Sequence, residues 1–340
     1  MDKQRRSTMP ELRQNLATKE WVIIATERAK RPDQFIEQTK GALLENYPTL
    51  DPTCPFCCGN EELDLEVERW PLTGPWQTRV VQNKYPALDN EGELSRTFDG
   101  VNRWISGVGR HELVIEHPHH NTTWPLMTPE EIEHGLQSFH RRGWEMLEDP
   151  RIEQIIFFKN HGKRAGASLI HPHSQIISLP IVPHHIRRRN DEARQYFDDQ
   201  GQNVFQVMLD DELKQKERLL TVSDHFVAFI PYAAPGPFHI WIIPRQQSVS
   251  FLYTQPEEMT DLAYLLHDVL RRLYFGLRDP NYNLVIRSSP VKELGNSYLQ
   301  WFVTIAPRLS HTAGFELGSG MFINTALPEE SAAFLREVKV

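Results

Sequence analysis

No run of about 18 apolar residues occurs in this 340-residue chain, so no membrane-spanning helix is expected. The polar start, Met1-Asp2-Lys3-Gln4-Arg5-Arg6, lacks the apolar centre of a secretory signal. Cysteine is scarce: Cys54, Cys57 and Cys58 are too few and too crowded for a disulfide framework. A reduced, cytoplasmic setting is the expectation. A basic excess is missing as well. Lys and Arg number 37 against 45 Asp and Glu, and the net charge of −8 argues against a general nucleic-acid binder. What remains is an ordinary soluble composition, 40% hydrophobic and 24% charged, long enough for two domains or one large one.

The least ordinary stretch is Ile170-His171-Pro172-His173-Ser174-Gln175-Ile176. Two imidazoles two residues apart sit in an apolar run that reads as a strand, after a turn rich in small residues (Gly162, Ala165, Gly166, Ala167, Ser168). Strand alternation points both rings to one face, although Pro172 makes regular alternation unsafe there. Upstream, Trp21-Val22-Ile23-Ile24-Ala25 reads as a strand. The basic run Arg28-Ala29-Lys30-Arg31 after it is either a solvated turn or an anion grip. Residues 33–53 read as a loop. Cys54-Pro55-Phe56-Cys57-Cys58-Gly59 then forms a Cys-x-x-Cys knuckle, from which two thiolates can reach one metal ion.

A strand running into a turn is expected at 78–88 and strands at 111–116 and 154–159, with residues 89–108 as an inserted polar loop. Thr128-Pro129-Glu130-Glu131 signals a helix start. Residues 184–219 are strongly polar, and the run Arg187-Arg188-Arg189 is expected on an exposed helix face. Near the C-terminus a Gly-rich stretch, Gly314 to Gly320, reads as a loop or turn before a final helix at Pro328.

An internal repeat runs through this order. Thr128-Pro129-Glu130-Glu131 returns as Gln255-Pro256-Glu257-Glu258, an offset of 127 residues. The same offset carries Leu113-Val114-Ile115 onto Ile240-Trp241-Ile242, Ile156-Phe157-Phe158 onto Asn283-Leu284-Val285, and Ile177-Ser178-Leu179-Pro180 onto Thr304-Ile305-Ala306-Pro307. The copies differ in chemistry: His171, His173, Gln175 and His120 fall on Tyr298, Gln300, Phe302 and Gln247. The expected organisation is a catalytic half at 1–183, a polar crossover at 184–219 and a degenerate scaffold half at 220–340.

The residues point to covalent nucleotidyl transfer. A neutral imidazole can attack an α-phosphorus and split one displacement into two. An unperturbed histidine, with a pKa of ~6.5, is largely neutral at pH 7 and needs mainly to be held in place. His173 is the candidate nucleophile. Phosphate stabilisation would come from donors and positive charge, for which Gln175, Ser168, Arg28 and Arg31 are candidates. His171 with Cys54, Cys57 and one further histidine would close a four-ligand, structural zinc site.

Taken together, these motifs resemble the galactose-1-phosphate uridylyltransferases, a branch of the histidine-triad superfamily. The likeness is carried by Arg28-Ala29-Lys30-Arg31-Pro32, Cys54-Pro55-Phe56-Cys57, Asn83-Lys84-Tyr85-Pro86-Ala87-Leu88, Pro118-His119-His120 and His171-Pro172-His173-Ser174-Gln175, along nearly the whole chain. It implies an α+β fold of two histidine-triad-like halves, with antiparallel sheets and helices packed on them. It implies His173 as nucleophile, Gln175 on the transferred phosphoryl group, and Cys54, Cys57, His120 and His171 as ligands of one zinc ion. It further implies substrate contacts at Arg28, Arg31, Asn83, Ser168, Glu316 and Asn324, with a homodimer in which Arg28 and Arg31 reach the neighbouring site. The substrates implied are a nucleotide sugar and a sugar phosphate.

Some positions depart from the pattern. Phe302 and Thr304 stand where some members carry a second metal site, Lys84 replaces an aspartate beside the nucleobase, and no lysine stands near Thr312. The segments Phe238 to Pro244 and Gly314 to Gly320 look more like the ADP-glucose phosphorylase branch, which transfers AMP to inorganic phosphate. The leading expectation is UDP-glucose:hexose-1-phosphate uridylyl transfer. ADP-glucose phosphorolysis is the near rival. A nucleotide hydrolase and a zinc-stabilised binding module without turnover are the more distant ones.

Overall fold

A computed structural model describes residues 9–25, 34–35 and 44–340, and contains fifteen strands and six helices among them. In chain order they are β1 Glu11–Gln14, β2 Trp21–Ile24, β3 Glu66–Trp70, β4 Thr78–Gln82, β5 Arg96–Asp99, β6 Asn102–Ile105, β7 His111–Ile115, α1 Pro129–Leu147, β8 Gln154–His161 and β9 His173–Leu179. Then follow α2 His184–Gln200, α3 Val204–Gln215, β10 Leu219–Val222, β11 Phe226–Phe229, β12 Ile240–Pro244, α4 Pro256–Leu277, β13 Tyr282–Arg287, β14 Phe302–Pro307, α5 Gly314–Ser319, β15 Phe322–Asn324 and α6 Pro328–Glu337. The α+β expectation is met.

Ten strands form one antiparallel sheet in the order β10-β11-β12-β14-β13-β8-β9-β7-β4-β3. Read outward from the β8–β13 seam, the two wings run β8-β9-β7-β4-β3 and β13-β14-β12-β11-β10. The inner three strands of each wing are the copies that the 127-residue offset pairs. At the seam Phe158 faces Val285 and Asn160 faces Asn283, so the wings share one hydrogen-bond ladder. A separate sheet of β1, β2 and β15 joins the two ends of the chain, with β15 parallel to β2.

The sheet has two unlike faces because strand side chains alternate. On one face α1 and α4 pack over the seam, where Leu136, Phe139, Leu266 and Val269 bury against Phe157, Ile176, Leu284 and Ile305 in one apolar core. Both helices start as their sequences require: Thr128 Oγ1 accepts from the Glu131 N–H and Glu131 returns the bond, while Glu258 does the same for Gln255. The opposite face of the second wing is covered by α2 and α3. The opposite face of the first wing carries the cysteine knuckle, around Phe56, Trp76, Leu113 and Ile115.

Three expectations need correction. Residues 96–105 are a β-hairpin rather than loop, turned at Asp99-Gly100, where Gly100 takes φ 59°. The run Gly314 to Ser319 is a short helix. Of the basic run on α2, Arg187 and Arg188 are exposed, but Arg189 is turned inward and only 8% exposed. The basic run at 28–31 lies outside the described residues.

Candidate active site

The knuckle is built by its own backbone. The Cys57 N–H donates to the Cys54 carbonyl at 3.3 Å, Asn60 donates to the Cys54 carbonyl at 2.8 Å, and Gly59 takes φ 92° to close the turn. Both thiols point to one spot, where they meet His120, just beyond β7, and His171, just before β9. The ligand atoms of Cys54, Cys57, His120 and His171 all lie within 4.8 Å of one another, and all four residues are buried. Cys57 Sγ is 3.6 Å from His120 Nδ1 and 3.5 Å from His171 Nδ1.

The donor set fits a four-coordinate metal ion of the zinc class. Two neighbouring bonds suit that use. His171 Nε2–H donates to the His117 carbonyl at 2.8 Å, which leaves Nδ1 as the lone-pair nitrogen facing the cluster. The Asp51 N–H donates to Cys57 Sγ at 3.3 Å. Burial pushes the Cys54 thiol up to about 11 and pulls His171 down to about 3. A metal arriving here therefore meets a ready neutral imidazole and must displace a thiol proton.

His173 opens β9. Its Nδ1–H donates to the His171 carbonyl at 2.8 Å, so Nε2 is the lone-pair nitrogen, and Nε2 has no hydrogen-bond partner among the described residues. Phe56 packs edge-on against the ring, with centroids 5.5 Å apart. Burial holds His173 below its ordinary value, so it stays neutral at pH 7. The ring lines a cleft of about 610 Å³ with Ser168, Asn160, Lys163, Arg164 and Arg308. The turn before β9 shapes that cleft. Gly162 has φ 81°, and a Cβ there would run into the Asn281 amide, which itself accepts the Arg164 N–H at 2.8 Å.

Behind the strand that carries His173, on the helix side, lies a buried polar group that sequence reasoning missed. Lys159 Nζ is 2.5 Å from Glu116 Oε2 and 3.4 Å from the His173 carbonyl, and it lies over the Trp124 ring at 5.3 Å. Ser174 donates to the other oxygen of Glu116. This ties β7, β8 and β9 together under His173. The signal was a charged residue ending each of two apolar strands.

The other expected residues divide. Gln175 Oε1 accepts from His111 Nε2–H at 2.8 Å, leaving its amide N–H groups for a ligand; Asn83 packs on the same imidazole at 3.1 Å. The Ala87 N–H donates to His111 Nδ1 at 3.2 Å and fixes that tautomer. Gln175 and Asn83 thus belong to one relay on the His173 face of the sheet, but neither lines the cleft. Glu316 lines a different cavity. Asn324 is 1% exposed and its amide is tied to the Ala234 carbonyl and the Ala326 N–H, both at 2.9 Å, so its expected substrate contact has no support in this geometry. Arg28 and Arg31 fall outside the described residues.

A neutral histidine held by a backbone carbonyl thus stands beside a thiol–imidazole cluster on one wing of a duplicated sheet. Residues 1–183 match the N-terminal domain of galactose-1-phosphate uridyl transferase and residues 189–304 match its C-terminal domain; the chain belongs to that family. An ADP-glucose phosphorylase of Arabidopsis thaliana is 38% identical over 337 residues, 97% of this chain and 93% of that protein. The galactose-1-phosphate uridylyltransferase of Thermotoga maritima is 29% identical, over 98% of this chain and 99% of its own. The crystal structure of an Arabidopsis thaliana ADP-glucose phosphorylase with bound ADP-glucose superposes with a TM-score of 0.80 at 34% identity, covering 98% of this chain and 100% of that one.

Proposed function

We propose that this protein transfers a nucleotidyl group from a nucleotide sugar through a nucleotidyl-His173 intermediate. The observation that carries this reading is the ring of His173, neutral, oriented by the His171 carbonyl and offering Nε2 at the cleft. In the first step the Nε2 lone pair attacks the α-phosphorus, an N–P bond forms, and the bond to the β-phosphate oxygen breaks. The sugar 1-phosphate leaves as an anion and needs no strong general acid. The positive charge that develops on the ring is met by the carbonyl bonded to Nδ1–H. In the second step an acceptor phosphate oxygen attacks the same phosphorus and His173 leaves with its lone pair.

Arg164, Lys163 and Arg308 supply positive potential at the cleft. Gln175 lies outside that lining but on the His173 face of β9, and by family likeness its free amide is a donor for a phosphoryl oxygen. Cys54, Cys57, His120 and His171 would hold a zinc ion, whose contribution is to lock the start of β9. By family likeness, Arg28 and Arg31 contact phosphate across a homodimer.

For the nucleotide, the 38% identity along nearly the whole chain supports ADP-glucose with inorganic phosphate as acceptor, giving ADP and glucose 1-phosphate. Uridylyl exchange between UDP-glucose and galactose 1-phosphate is the second reading, supported by the 29% identity at full length. Parallel assays with each donor–acceptor pair decide. ADP formation that depends on phosphate is expected. Turnover confined to UDP-glucose with galactose 1-phosphate would favour the second reading, and no turnover with either pair would remove both.

A further inference from the structure

The second wing carries a cavity that the His173 chemistry does not use. It holds about 550 Å³, close to the 610 Å³ of the cleft. It lies over β13 and β14 and is walled by the first turns of α2, the β1–β2 segment and the residues after β14. The 127-residue offset puts Arg287 in the place of Asn160 and Phe302 in the place of Gln175. A ligand-sized space thus persists on the equivalent part of the sheet, with a guanidinium and a ring where the first wing has amides.

Arg189 reaches this wall from α2. It is 8% exposed, its guanidinium lies 5.5 Å from the Phe302 ring centroid, and it has no hydrogen bond or ion pair among the described residues. Arg287 donates from Nε to Thr304 Oγ1 at 3.4 Å and likewise has no carboxylate partner among them. Burial, and then the charge of Arg287, pull Arg189 down to about 9, so the two cations feel each other.

Glu293 and Glu20 act on Arg189 and Arg287 through space, but the nearby acids make their hydrogen bonds elsewhere. Glu20 is exposed and accepts from Thr18 at 3.2 Å, Glu293 accepts from Asn190 at 3.0 Å, and Glu316 caps its own helix through the Ala313 N–H at 2.9 Å. His239, also on the wall, accepts from Trp241 Nε1 at Nε2, which leaves its Nδ1–H as a donor.

Arg189 is buried and Arg287 half-buried, their charges repel, and the carboxylates of Glu293 and Glu20 act on them without forming an ion pair; each guanidinium presents a planar fork suited to an oxyanion. We propose that this cavity is a second anion site, which takes a phosphate monoester or inorganic phosphate between Arg189 and Arg287. The volume suits a molecule of sugar-phosphate size. Arg308 lines both cavities, so the second site opens beside the first. The inference holds whichever nucleotide the cleft takes.

The test uses the full chain, inorganic phosphate as probe, and sodium chloride at matched ionic strength as control. In 15N-arginine-labelled wild type, the Nε–H resonances of Arg189 and Arg287 should shift together and saturate. Arg189→Met and Arg287→Met should each weaken that binding about tenfold, the loss of one charge-assisted contact. Each should also melt higher than wild type in chloride alone, since a buried repulsion is gone. Labelling of His173 by nucleotide sugar should be unchanged. If a methionine variant fails to fold, Arg189→Lys and Arg287→Lys keep the charge and lose the fork, with the same loss expected. Unmoved resonances in wild type at saturating phosphate would overturn the proposal, as they would if an acidic group of a second copy already fills the site. So would phosphate binding of wild-type strength in the variants.

Discussion

Burial sets the protonation of His171 and His173, and two backbone carbonyls decide which nitrogen each has left: Nδ1 for His171, Nε2 for His173. This has a kinetic consequence. Protonation removes the attacking lone pair, and a lowered pKa moves that loss to more acid solution. Single-turnover labelling of the enzyme by nucleotide sugar should therefore stay flat through neutrality, with its acid limb below the ordinary histidine value of 6.5. A midpoint at or above 6.5 would contradict the burial argument.

At Cys54 the expectation is metal loss. Cys54→Ser should abolish binding of about one zinc per chain and lower stability by about 4 kcal/mol or more, read by metal analysis and denaturant unfolding. The histidine and cysteine motifs were legible because their chemistry is unusual in short windows. The Lys159–Glu116 pair was not, since its members are 43 residues apart and meet only through strand register. The backbone bonds of Asn324 were not legible either, because a buried amide bonded to backbone has the same letter as one that waits for a ligand.

Among the elements, the turn from β8 to β9 is tightly constrained. Gly162→Ala puts a side chain at φ 81° and against Asn281. The expected result is a loss of about 1–3 kcal/mol together with weakened nucleotide binding, because the cleft floor shifts. A variant with wild-type stability and wild-type KM would show that the turn does not shape the cleft. Helix starts were readable from Thr128-Pro129 and Gln255-Pro256, whose caps formed as expected. The β5–β6 hairpin was passed over although Asp99-Gly100 marks its turn, because polar strands on no core lack the alternation that identifies a strand. Arg189 was taken for surface because a charge run usually faces water; which residue of the run turns inward depends on how α2 docks.

At the scale of the whole molecule, the repeat read from sequence became two wings of one sheet. The seam at β8 and β13 and the shared core under α1 and α4 tie the wings together. One cooperative unfolding transition is expected for the chain by calorimetry; two resolved transitions would mean that the wings are independent. The sequence reading put uridylyl exchange first, whereas the relatives' identities weight the choice toward adenylyl transfer. The nucleobase was hard to read because the motifs that stand out in the sequence belong to the phosphorus chemistry and the metal cluster, which both readings share. The covalent step itself is independent of that choice. Its most direct measurement is to incubate the protein with ADP-glucose or UDP-glucose labelled in the α-phosphate, without acceptor, and map the bound label. An acid-labile phosphoramidate on His173, absent in His173→Asn and discharged by acceptor, is the predicted result. Turnover without any protein-bound label, or a label that persists in His173→Asn, would contradict it.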